Sequence, residues 1–128
     1  MTKVYDPNLV SIAFGSMFLT GFAEDDLFEV EKNEDDVYTN VGLDGEVTYS
    51  ESADKTAIAK ITLMNTSASL PRIYELAKNK ESFPLSIIDM NDDSQNVACD
   101  DCRIIKRPNI VRKKQAEAVE VEVFIPKW

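Results

Sequence analysis

At 128 residues, 44% of them hydrophobic, the chain can bury about two thirds of its unfolded surface around one core, so it needs neither a metal nor a disulfide to fold. Its 23 acidic against 14 basic residues give a net charge of −9, which opposes tight binding to a phosphate backbone, because that binding is built from Lys and Arg displacing counterions. Histidine is absent, which removes the commonest general base and metal ligand, and no GxGxxG, Walker-type or GxSxG motif takes its place.

In chain order the pattern is mostly strand. Asn8 to Ala23 holds an apolar run ending in small residues, but Asp6 flanks it beside Lys3 and Gly15-Ser16 interrupts it, so a hairpin of Leu9–Phe14 and Met17–Thr20 is expected rather than a secretory leader. No run is long enough to span a membrane as a helix. Leu27–Asn33 alternates, with Phe28, Val30 and Lys32 on one face and Leu27, Glu29 and Glu31 on the other. A long, acidic, glycine-punctuated loop follows. Glu46–Ser52 and Thr56–Met64 are the next strands, with Ala53-Asp54-Lys55 as the turn and Ala57, Ala59, Ile61 and Leu63 on one face of the second. A helix starts near Ser67 or Ser69, where a hydroxyl can cap free amides and Pro71 suits the first turn; Leu70, Ile73, Leu76 and Ala77 share its apolar stripe. Phe83–Met90, Gln95–Ile105 and Ala116–Ile125 complete the strands, and in the last Val119, Val121, Val123 and Ile125 oppose Glu120 and Glu122. No repeat or linker composition divides residues 1–128. The expected fold is therefore α+β, mainly antiparallel β, with two packed sheets or a distorted barrel flanked by one helix.

Three constellations invite chemistry, and each has a plainer account. Cys99-Asp100-Asp101-Cys102 is a CxxC, but a zinc site needs a second pair of ligands, and alternation along a strand would point the two sulfurs to opposite faces. Two incidental thiols are the better account. Asp89, Asn91, Asp93 and Asp100 fit positions of a calcium-loop template that wants Gly where Ser94 stands and helices where strands are expected. A tight turn studded with solvated carboxylates suffices. The triplets Glu24-Asp25-Asp26 and Glu34-Asp35-Asp36 lack the apolar surroundings that would separate two carboxyl pKa values for catalysis. No catalytic residue, metal ligand or cofactor is assigned.

The stretch from Val4 to about Leu63 carries Tyr5-Asp6-Pro7, Phe14-Gly15, Thr20-Gly21-Phe22-Ala23, Glu31-Lys32-Asn33-Glu34-Asp35 and Val41-Gly42-Leu43-Asp44-Gly45-Glu46-Val47 in that order. In this it resembles the tail-tube proteins of contractile-tailed bacteriophages, which are related in fold to type VI secretion tube proteins. Beyond Leu63 the likeness is looser, and Cys99 to Cys102 departs from it. The resemblance implies a self-assembling structural protein, not an enzyme. Six copies would form a ring whose strands join into a barrel around a channel, and rings would stack into a rigid inner tube assembled in the host bacterial cytoplasm. Its partners would be further copies of itself, sheath, baseplate and tail-terminator proteins, and phage DNA passing without specific binding; no membrane is involved. In such tubes the long loop after the early strands contacts the next ring, a role that falls here on 34–45, with Glu34, Asp35, Asp36, Thr39, Asn40, Gly42, Asp44 and Gly45 as contact residues. The alternatives are a tube subunit of a phage-derived injection or type VI-like particle, a tail terminator, and, from a different class, a small thiol- or metal-dependent enzyme using Cys99, Cys102 and the acidic turns.

Charge is segregated along the chain: twelve of the 23 acidic residues lie between Glu24 and Asp54, and six of the 14 basic ones between Arg103 and Lys114. Arg103, Lys106, Arg107, Arg112, Lys113 and Lys114 are interleaved with Ile and Val rather than with stacking aromatics, so they suit a complementary protein surface better than a nucleic acid. An acidic surface on one copy meeting a basic one on the next is what a heterologous assembly requires. For the channel wall the polar faces of Glu46–Ser52 and Ala116–Ile125 are the expected positions, through Glu46, Thr48, Ser50, Glu120 and Glu122.

Overall fold

The computed structural model describes residues 4–22, 28–91, 96–110, 112, 114–115 and 117–128. Among them a short 3₁₀ turn (Pro7–Leu9) is followed by β1 (Val10–Phe14), β2 (Met17–Phe18), β3 (Phe28–Lys32), β4 (Val37–Val41), β5 (Val47–Glu51), β6 (Ala57–Met64), helix α1 (Leu70–Asn79), β7 (Phe83–Asp89), β8 (Val97–Ile104) and β9 (Ala118–Ile125). Strand pairing is antiparallel throughout, in a seven-stranded sheet of order β2-β1-β7-β8-β9-β6-β3 and a separate two-stranded sheet of β4 and β5.

The centre of the large sheet follows from period-two patterning. β6 buries Ala57, Ala59, Ile61 and Leu63, β9 buries Val119, Val121, Val123 and Ile125, and the two pair in unbroken register from Ala57 opposite Ile125 to Met64 opposite Ala118. From the other half of the sheet Ile12, Phe14, Phe83, Leu85, Ile87 and Val97 enter the same core, with Phe14 stacked on Phe83 at 4.6 Å between ring centroids. β8 joins the halves: its earlier part pairs with β7, whereas Arg103 and Ile104 pair with β9. The fold is thus mainly antiparallel β with one α-helix. It is not closed into a barrel, because β2 and β3 are left as edges, and the second sheet does not pack on the first.

β8 also corrects the reading of the two cysteines. Between the pairs Phe83–Cys102 and Leu85–Cys99, β7 has one residue and β8 has two, Asp100 and Asp101, which makes a β-bulge. The extra residue shifts the parity of the strand, so Cys99 and Cys102 both face the core instead of opposite sides. Both are free thiols, with Cys102 fully buried and its Sγ 3.8 Å from the Cys99 carbonyl oxygen.

Helix α1 seats Leu70, Ile73 and Leu76 on the core and has proline in its first turn. It ends at Lys80, whose backbone is left-handed (φ 55°), with the Glu81 amide donating to the Leu76 carbonyl at 3.1 Å. Of the two expected hydroxyls, Ser67 Oγ accepts the Ser69 amide at 3.2 Å, whereas the Ser69 side chain caps nothing in the helix. Its Oγ instead accepts the Thr20 amide at 3.0 Å, while Ser67 Oγ donates to the Thr20 carbonyl at 2.5 Å. Gly21, at φ +71°, lies so close to Ser67 that a Cβ there would come within 2.9 Å of the Ser67 Cβ. This junction ties the chain after β2 to the start of α1.

Candidate assembly surfaces

The acidic stretch after β3 is a β-hairpin arm rather than an extended loop. Val37 to Val41 form β4, and Glu51 down to Val47 pair with them residue for residue. The Gly42–Glu46 tip is closed by the Gly42 amide on the Glu46 carbonyl (2.7 Å) and the Gly45 amide on the Gly42 carbonyl (3.0 Å), with Gly45 at φ +84° supplying the left-handed residue the turn requires. Every residue from Asn33 to Glu51 is exposed. Two-stranded hairpins are marginal alone, so an arm exposed along its length needs a partner or a strong root.

The root is built from hydrogen bonds. Lys32 Nζ donates to the Trp128 carbonyl (2.7 Å) and ion-pairs with Asp36 (3.1 Å), and the Trp128 amide donates to the Lys55 carbonyl (2.8 Å), so Lys127-Trp128 ties together the two legs of the arm. Asn33 Nδ2 donates to Thr56 Oγ1 at 2.8 Å. Asp54 accepts both the Thr56 amide (2.9 Å) and the Thr56 hydroxyl (2.6 Å), which hold its carboxyl below the usual 3.8. Sequence reading did not find the Lys32–Trp128 link, for which no local signal exists across 96 positions.

The arm has two unlike faces. Opposed residues of an antiparallel pair share a side, so Val37, Thr39, Val41, Val47, Tyr49 and Glu51 form one face and Tyr38, Asn40, Thr48 and Ser50 the other. The first carries an unpartnered apolar stripe: Val41 is 70% exposed, Val47 52% and Tyr49 71%, and Leu43 at the tip is fully exposed at 106%. Around the stripe lie Glu34, Asp35, Asp36, Asp44, Glu46 and Glu51, with no basic residue between Lys32 and Lys55. Of the contact residues expected from the sequence, Thr39 is on the apolar face and Asn40 on the polar one; Gly42, Asp44 and Gly45 make the tip, and Glu34, Asp35 and Asp36 precede β4.

The expected basic surface is divided. Arg103 and Arg107 line an open trough of about 570 Å³ together with Ala77, Ile104 and Ile105, to which the end of α1 adds Lys78 and Lys80, two cations the sequence did not point to. Lys106 and Arg107 border a smaller cleft of about 130 Å³ with Pro108, Asn109, Glu120 and Glu122. Tyr74 Oη, within hydrogen-bond distance of the Pro108 (3.1 Å) and Asn109 (3.3 Å) carbonyls, holds this segment against α1. Arg112 lies elsewhere, in an open cavity of about 230 Å³ with Asn65, Thr66, Ser67, Leu70, Pro71, Tyr74 and Val119; Lys114 is exposed, and Lys113 lies outside the described residues. The five residues expected on a channel wall stand on two sheets. Thr48 and Ser50 belong to the arm and Glu46 to its tip, whereas Glu120 and Glu122 face outward from β9.

The two cysteines and part of the calcium-template set lie in described surroundings. Burial, reinforced by Cys99, pushes the Cys102 thiol up to about 12, which makes it a poor nucleophile at neutral pH. Asn91, one of the calcium-template positions, grips the backbone of Asp6 from both sides: its Oδ1 accepts the Asp6 amide (3.0 Å) and its Nδ2 donates to the Asp6 carbonyl (2.8 Å). Asp89 accepts the Asn91 amide at 2.8 Å; Asp93 and the triplet Glu24-Asp25-Asp26 lie outside the described residues. Among the described residues no group of three or more Cys, Asp or Glu is placed to hold a metal ion, and no helix is long and apolar enough to cross a membrane. No family model matches this chain, and no curated protein shows significant similarity to it.

Proposed function

We propose that this chain is a structural subunit that self-assembles into stacked six-membered rings, forming the inner tail tube of a contractile phage tail through which DNA leaves. The observation that carries the proposal is the β4–β5 arm, a folded sheet with an apolar stripe and an acidic periphery that its own subunit leaves exposed along its whole length. A surface of that kind is costly to leave in water and is accounted for by burial against another copy. The two edges of the large sheet, β2 and β3, add a second route of association, since joining edges between subunits would cover their unpaired backbone groups. The resemblance between Val4 and Leu63 supplies the ring-and-tube form. In this reading the arm, 34–45 with β5, contacts the adjacent ring. Sheath, baseplate and terminator proteins bind outside and at the ends, and DNA passes a wall in which Glu120 and Glu122 are the best-placed carboxylates.

The test is direct. The purified chain, without metal or oxidant, should show six-fold rings or hollow tubes by negative-stain electron microscopy, and a mass well above the 14.4 kDa monomer by sedimentation. A strictly monomeric protein at high concentration, with or without baseplate components, would reject the proposal.

A further inference from the structure

Resting on the tube reading, we propose that the arm tip of one copy seats in the cavity between α1 and the start of β9 of a second copy, with Leu43 entering the cavity and Asp44 and Glu46 facing Arg112 and Lys114. The first argument is position. The arm leaves the large sheet where Lys32 pairs with Ala57, and Ala57 pairs with Ile125. The cavity is lined by Asn65, Thr66, Ser67, Leu70, Pro71, Tyr74, Arg112 and Val119, all beside the opposite end of the same strands, where Leu63 pairs with Val119 and Met64 with Ala118. Eight residues of β6 separate the two by about 25 Å. A donor at one end and an acceptor at the other make a head-to-tail contact that can repeat from copy to copy, which a stack requires.

The second argument is chemistry. Leu70, Pro71, Tyr74 and Val119 give the cavity an apolar side, and its volume of about 230 Å³ is open to solvent, suiting one branched aliphatic side chain. Leu43 is the most exposed large apolar side chain of the arm, at its tip, between Gly42 and Asp44. The carboxylates beside it meet positive charge at this end of the molecule, where Arg112 lines the cavity and Lys114 is exposed two positions on. The trough of Lys78, Lys80, Arg103 and Arg107 carries more cations, but it lies toward the arm-root end, where Arg103 pairs with Phe124, away from the end that a head-to-tail tip would meet.

Charge exchange in the full-length chain tests the seat. Asp44→Lys/Glu46→Lys reverses the tip, and Arg112→Glu/Lys114→Glu reverses the seat. Each variant alone should fold by circular dichroism and form rings that do not elongate, whereas an equimolar mixture should recover tubes, because every tip then finds an opposite seat. Leu43→Ser, on an exposed side chain that cannot disturb folding, should weaken each contact about tenfold to a hundredfold, so that tubes fail to form at concentrations where the unaltered chain elongates. Reversing the trough with Lys78→Glu/Arg103→Glu should leave elongation unchanged. Tubes from either reversed variant alone at the unaltered chain's concentration, a mixture that stays as rings, or loss of elongation on reversing the trough would each overturn the seat while leaving the tube reading standing. An unaltered chain that never elongates would remove the tube reading, and the seat with it.

Discussion

Replacing both Val41 and Val47 by Thr separates what the arm does for its own subunit from what it does for a neighbour. The two are directly opposed on the apolar face, and Val and Thr have similar shape and strand preference, so the hairpin itself is preserved. With 70% of Val41 and 52% of Val47 in water, the change removes almost nothing from the folded monomer, and its urea midpoint should shift by no more than about 0.5 kcal/mol in stability. In an assembly that buries the face, the calculation differs. Full burial of a Val contributes about 1.5 to 2 kcal/mol, the pair retains a little over half of that for a partner, and each Thr forfeits one methyl's share of it while adding the desolvation of a hydroxyl, so each contact weakens by about 2 kcal/mol. That is about thirtyfold per contact, and six equivalent contacts per ring multiply it. Sedimentation velocity and electron microscopy on the double variant should therefore show folded protein that fails to elongate at concentrations where the unaltered chain forms tubes. Tubes of normal length at the same concentration, with stability unchanged, would refute burial of this face.

Three further outcomes follow from local geometry. Gly21→Ala should lose about 2 to 4 kcal/mol in urea unfolding, because it adds left-handed strain to an overlap with Ser67, whereas Gly45→Ala, with nothing within 4 Å, should lose only the strain; equal losses would discount the Gly21–Ser67 contact. Cys102 should resist alkylation in the folded state while the half-buried Cys99 reacts first, and Cys102→Ser should cost about 1 to 3 kcal/mol, read by mass spectrometry and denaturant titration; prompt double labelling would contradict the burial. Asp54, whose folded pKa is lowered, stabilises the arm root fully above its unfolded value and loses that effect as pH falls through the lower folded one. Hydrogen-exchange protection of the Thr56 amide should thus hold from neutral pH down to about 3.8 and fall only below it, and Asp54→Ala should remove that pH dependence.

The core was legible in the sequence because it rests on period-two alternation, and β6 and β9 bury the side chains that their patterns point inward. The features that were not legible arise where a single residue or a distant contact decides. One additional residue in β8 reversed the side on which Cys102 stands, and a bulge leaves no mark in a polar pair such as Asp100-Asp101. The arm was visible as an acidic, glycine-punctuated insertion but not as a sheet, since Val-Tyr-Thr-Asn-Val is short and its partner was expected to pair with β6. Pairing between β4 and β5 wins because the tight Gly42–Glu46 tip brings them together at low loop-closure cost, while Asp54 and Thr56 turn the chain at the root. Lys78 and Lys80 look in sequence like the usual basic end of a helix; only the approach of Arg103 and Arg107 makes them part of a trough.

The arm also changes what the net charge means. From Asn33 to Asp54 the chain carries seven carboxylates and no cation, so −7 of the −9 resides on this stretch, leaving −2 for everything else. A net charge spread over the whole subunit would argue for a channel that repels phosphate wherever the wall is drawn. Charge held on an appendage argues instead about association, because in the proposed tube it falls where one copy reaches another. The proposed wall must then be judged from its own residues, and on the outer face of β9 the carboxylates of Glu120 and Glu122 share their cleft with Lys106 and Arg107. Such a surface is close to neutral over a Debye length of about 8 Å, which would give DNA neither strong repulsion nor a row of unopposed cations to bind. The proposed arm contacts, by contrast, would join a predominantly anionic surface to cations on the neighbour, and each exposed pair would add at most about 1 kcal/mol that salt screens. In the proposed tube the low-adhesion channel and the salt-sensitive stacking would thus rest on different parts of the chain.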